Sequence, residues 1–187
     1  FGISCPQSLP IQPTAQLRLS NGIMINTGSE LCIDGWLEGD IVLNGGTLQV
    51  DADTTISSDS SILLSSSSNL KIVGGSSLTY EGDALSLDNK TLSLSGGGSL
   101  VLKTDGSNPV TLNNADGELE FSGDNITTVS HVKTSSGATT NMPTLKMTGS
   151  GVIQNLAHEE FLEINFASGK TLSITQAFEV PAGKQMT

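Results

Sequence analysis

Apolar and polar residues alternate along this chain in units of three, apolar–any–apolar, that return throughout its length. Leu48-Gln-Val50, Leu70-Lys-Ile72, Leu78-Thr-Tyr80, Leu92-Ser-Leu94 and Leu100-Val-Leu102 are typical. The same unit appears from Leu17-Arg-Leu19 near the start to Phe178-Glu-Val180 near the end. A period of two puts both apolar side chains on one face of an extended segment and the middle residue on the other. Gly, Ser, Asn and Asp fill the gaps between units, and these are turn-forming residues. Only the stretch from Asn155 to Phe166, containing Ala157-His-Glu-Glu-Phe-Leu, has spacing that could hold a short helix.

The units have a higher-order period. Leu48 to Leu70, Leu70 to Leu92 and Leu78 to Leu100 are each 22 positions apart. Three short strands joined by tight corners make one triangular coil of that length, and stacked coils pair each strand with its equivalent one turn later. The sequence therefore predicts an all-β parallel β-solenoid (β-helix), three short strands per coil of about 22 residues, with an N-terminal cap. A β-sandwich is the competing architecture, but it uses longer strands and more aromatic core residues. Residues 1–38 read as the cap and first coil or coils. Residues 39–187 read as the solenoid, less regular from about 126, and eight or nine coils would give a rod roughly 40 Å long.

Asn44-Gly-Gly-Thr-Leu-Gln-Val50 and Ser95-Gly-Gly-Gly-Ser-Leu-Val-Leu102 resemble the Gly-Gly-Thr-Leu-x-Leu repeats of bacterial autotransporter passengers and filamentous surface adhesins. The resemblance spans about residues 40–125 and implies a β-helix displayed outside the cell.

Composition narrows the function. Charged residues make up 14% of the chain, below the roughly 25% of an average domain, and aromatics only 4%. Eight basic against 19 acidic residues give a net charge of −11, which disfavours nucleic acid and anionic lipid as partners. No apolar run is long enough for a transmembrane helix, so membrane insertion is not expected. A chain starting at Phe1 is what cleavage of a leader would leave, and equally what excision from a longer protein would leave. Cys5 and Cys32 are the only cysteines. Their pairing would staple the Pro6, Pro10 and Pro13 segment to the first coil and imply export through an oxidising compartment.

Chemistry-bearing clusters are few. Asp51 and Asp53 fall on one side of an extended segment and form a weak candidate cation site. His131 and His158 stand alone, and Trp36 and Tyr80 are expected in the core. Asn89-Lys-Thr and Asn125-Ile-Thr match the glycosylation sequon, a pattern common by chance in Ser/Thr-rich chains. No phosphate loop, nucleophile elbow or zinc signature is present, so neither catalysis nor a cofactor is expected. A solenoid instead exposes an unpaired rung at each end. Pro6, Pro10 and Pro13 at one end, and Phe161, Phe166 and Phe178 at the other, are the expected capping or assembly residues. The expected role is an extracellular structural subunit that self-associates through solenoid ends into a surface fibre, sheath or layer. A surface adhesin binding a glycan or receptor is the alternative, and a polysaccharide-active β-helix enzyme a remote one.

Overall fold

The computed structural model describes residues 16–87, 89–102, 110–112, 117–134, 142–158 and 162–179. These residues form a parallel β-solenoid with about 22 residues per coil, without a helix. Pro6, Pro10, Pro13, Cys5 and Phe161 lie outside the described residues.

In chain order the first strands are β1 (Gln16–Arg18), β2 (Ile23–Asn26), β3 (Glu30–Glu38), β4 (Ile41–Asn44), β5 (Thr47–Ile56) and β6 (Ile62–Ser66). The middle strands are β7 (Ser68–Ile72), β8 (Ser77–Tyr80), β9 (Leu85–Ser86), β10 (Thr91–Ser95), β11 (Ser99–Leu102) and β12 (Val110–Leu112). The last are β13 (Glu118–Phe121), β14 (Thr127–Thr134), β15 (Thr144–Met147), β16 (Gly151–His158), β17 (Glu163–Phe166) and β18 (Leu172–Glu179). Strands β16 and β17 hold most of the described residues of the stretch from Asn155 to Phe166, whose spacing could hold a short helix. Pairing with β14, β15 and β18 decides the matter there over local spacing.

Three faces run along the axis. The first stacks the starts of β3 and β5, then β7, β10, β13, β15 and β17. The second stacks β1, the ends of β3 and β5, then β8, β11 and the starts of β14, β16 and β18. The third begins as β2–β4–β6 and continues as β9, β12 and the ends of β14, β16 and β18. Strands β3, β5, β14, β16 and β18 each turn a corner and belong to two faces.

Inside, like stacks on like. Leu48, Leu70, Leu94, Phe121 and Met147 form one ladder of the first face, and Leu78, Leu100, Val129 and Ile153 one of the second. All of them are buried. One step departs from the expected period. Leu94, not Leu92, pairs with Leu70, so Leu92 lies over the buried Ser68. The Ser68 hydroxyl accepts the Gly45 N–H (2.9 Å) and donates to the Ser66 carbonyl (2.9 Å), which makes its burial tolerable. A shift of two residues keeps every apolar side chain inward, because parity decides the face.

Tyr80 is inward and 1% exposed, as expected. Trp36 is not a core residue: it pairs with Thr55 beside the buried Leu37, on the outward register, and is half-buried there.

Candidate functional site

The ends of the solenoid are unequal. At the start, Leu17, Ile23 and Leu31, inward residues of the second, third and first faces, are partly buried against the core. At the other end, Phe166, Ile174 and Phe178 are the inward residues of the first, second and third faces. They stack on Met147, Ile153 and Leu156, each at most 1% exposed. Their own exposures are 54%, 38% and 40%. A position that is dry in one coil is open in the next because no described strand stacks beyond β17 and β18. Of the expected assembly residues, Phe166 and Phe178 thus share one apolar surface, and Ile174 completes it.

The other expected site is differently engaged. The Asp51 carboxylate accepts from the Gln49 amide at 2.7 Å. Asp53 accepts both the backbone N–H and the hydroxyl of Ser77 at 2.9 Å. Both carboxylates thus brace the corner between the first two faces. Among the described residues, no group of three or more His, Cys, Asp and Glu side chains is placed to hold a metal ion.

His131 belongs to a polar row at the corner of the second and third faces. Its Nδ1 meets the Ser130 hydroxyl at 3.1 Å, and its Nε2 meets the Asn155 amide nitrogen at 3.2 Å. The Asn155 amide also donates to Gln176 Oε1 at 3.2 Å. The row ties three successive coils together.

A charged group on the outer side of the first face is not singled out by the sequence. Glu118 and Glu120 project from β13, and Lys146 on β15 reaches both, at 3.4 and 3.7 Å. Thr91 donates to Glu118 at 3.2 Å, while Ser93 and Thr148 donate to Glu120 at 2.8 and 2.7 Å. Partial burial of Glu120 opposes its charge, but the hydroxyls of Thr148 and Ser93 and the Lys146 ammonium outweigh it and hold the carboxyl below its ordinary range. A carboxylate so fixed is a poor proton donor at neutral pH, and its evident work is to join coils. The signal was Glu118-x-Glu120 in a strand. Its partners lie a full coil away on either side.

A shallow open groove of roughly 730 Å³ runs across the corner between the first and second faces. Lys71 and Val73 form one wall, Gly96 and Gly97 the floor, and Asp124, Asn125 and Ile126 the other wall. The floor is low because those glycines carry no side chain. A Cβ at Gly96 would collide with the Ile72 carbonyl oxygen.

The chain matches no family model, and no curated protein or solved structure is significantly similar to it. No helix among the described residues is long and apolar enough to cross a membrane.

Proposed function

We propose that this protein is a subunit of an extracellular fibre, sheath or surface layer, joined to its neighbours through the ends of its solenoid. The observation that carries this reading is the open apolar rung formed by Phe166, Ile174 and Phe178. Its side chains occupy core positions, and the edges of β17 and β18 offer backbone groups for one more set of parallel pairs. A coil docked there would bury large apolar side chains and extend three ladders together. The low charge fraction, the Ser- and Thr-rich surface and the autotransporter-like repeats support a durable, exported structural role, with which the expected Cys5–Cys32 pairing would agree.

Negative-stain electron microscopy of the non-reduced protein over a range of concentrations tests this. Filaments or end-joined rods that lengthen with concentration are expected. Uniform single rods at every concentration overturn it.

The corner groove favours a second reading, a surface adhesin. Lys71, Asp124 and Asn125 could meet the hydroxyls or charged groups of a glycan, with Val73 and Ile126 covering its apolar side. Glycan-array binding that is lost in Asp124→Ala and Lys71→Ala would favour that reading over the structural one.

A further inference from the structure

Building on the end-joining reading, we infer that the joint is head-to-tail: the C-terminal coil of one copy receives the N-terminal coil of a second copy of this chain. Three observations fix the occupant. The open C-terminal rung has one exposed inward residue per face, Phe166 on the first, Ile174 on the second and Phe178 on the third. The N-terminal coil offers partly buried inward residues on two of these faces, Leu17 on the second and Ile23 on the third, while on the first face the outermost described strand is β3, one coil further in, with Leu31. Docking C-terminus to N-terminus would set Leu17 toward Ile174 and Ile23 toward Phe178, and would leave the width of one strand between Phe166 and Leu31 on the first face.

Strand direction supplies the third observation. The ladders within the chain are parallel, with faces in a constant order around the axis. Head-to-tail stacking preserves both, so the second and third faces continue their own ladders. Joining two C-terminal ends about a two-fold axis would make the pairs antiparallel and reverse the order of faces. Only one face could then meet its like, and the other two would exchange. A heterologous contact of the head-to-tail kind is open and propagates, whereas the two-fold contact closes at a dimer.

The two geometries respond differently to a chain blocked at its C-terminal rung. Phe166→Glu combined with Phe178→Glu places charge at two exposed positions, so folding is expected to survive, as judged by an unchanged β-type circular dichroism spectrum. Ile174→Glu serves as a second blocked variant should the first not fold. Each blocked variant alone is expected to stay monomeric by sedimentation velocity. Added at about one part to ten of wild-type chains, it is expected to shorten the polymers to roughly ten subunits, because its intact N-terminal end still docks and its blocked end stops growth. Leu63→Glu, at an exposed side-face position of β6 away from both ends, is expected to leave polymer length unchanged.

Wild-type polymers unaffected by the blocked variant, or dimers as the largest species, overturn the head-to-tail joint while end-joining itself stands. Wild-type protein that remains monomeric at every concentration overturns both.

Discussion

The hydroxyl of Tyr80 accepts the backbone N–H of Ile62 at 3.1 Å, inside the solenoid and across two successive coils. Ile62 opens β6 on the third face, and Tyr80 closes β8 on the second. A fully buried phenol needs a hydrogen-bond partner, and a buried N–H at the start of a strand needs an acceptor. One contact meets both requirements.

Tyr80→Phe should therefore destabilise the protein by about 1–3 kcal/mol, because the Ile62 N–H is left buried without this acceptor. The substitution should also alter the alkaline limit. Burial raises the Tyr80 pKa above its ordinary value of 10.0, against the opposing bond from Ile62. Above pH 10 the unfolded chain has lost this proton while the folded chain keeps it, so stability falls as pH rises through that range. Urea denaturation at pH 8 and above pH 10 should show a steeper alkaline loss in wild type than in Tyr80→Phe. Equal pH slopes would contradict it.

Glu120 governs the acid side with the opposite sign. Its folded pKa lies below the ordinary carboxyl value of 4.5. The stabilisation is therefore fully present above the unfolded pKa and is lost as pH falls below about 4.5 through the folded value. Glu120→Gln should remove part of that acid-dependent loss. Glu120 is partly buried, but its cation partner Lys146 is exposed to solvent, so the neutral-pH effect should be small, below about 1 kcal/mol. Lys146→Met should flatten the same acid limb, and thermal melts between pH 7 and pH 3 read both variants. An unchanged acid limb in each would count against the network.

Gly96 and Gly75 both have positive φ, 97° and 90°, but differ in their surroundings. Nothing lies within 4 Å of the place a Gly75 Cβ would take, whereas at Gly96 the Ile72 carbonyl oxygen is already there. Gly75→Ala should bear only the backbone strain, about 1–2 kcal/mol. Gly96→Ala should be worse by more than about 1 kcal/mol, because the fixed backbone of the neighbouring coil must move. Denaturant midpoints of the two variants, compared under the same conditions, decide the order. Equal midpoints would mean that the coils can separate at this corner without penalty.

Corners and inward faces are written locally, and so the solenoid was legible. Asn89-Lys-Thr-Leu-Ser-Leu94 and Gly169-Lys-Thr-Leu-Ser-Ile174 make the same turn: Lys90 N–H bonds to the Leu87 carbonyl at 3.1 Å, and Lys170 N–H to that of Ala167 at 3.2 Å. Asn89 and Gly169 both have positive φ, 53° and 75°. Yet one turn leads into the first face and the other into the second. The motif specifies a corner but not which corner, so counting repeats cannot assign faces. The Leu70–Leu94 register escaped for a related reason, since a slip of two residues leaves the alternation intact. Phe166 and Phe178 were legible as residues of the solenoid's C-terminal end because large aromatics are scarce in this chain. Glu118, Glu120 and Lys146 were not, because their meeting depends on the length of the intervening coil.

Cys32 bears on the last expectation. It pairs with Gln49 on the outward register of β3, between the inward Leu31 and Ile33. A bridge from Cys5 would therefore fasten the N-terminal segment to the outside of the first face without entering the core. Closing a loop of about 28 residues should stabilise the fold by roughly 3–4 kcal/mol through the unfolded chain. Alkylation without reductant should leave the mass of the native protein unchanged, and alkylation after reduction should add two labels. Reduction should lower the melting temperature by roughly 6–16 °C while preserving the β-type spectrum at low temperature, because the Leu and Ile ladders do not depend on the bridge. Two labels taken up without reductant would rule the bridge out. A collapse of the spectrum on reduction would mean that the N-terminal segment is needed to hold the first coil together.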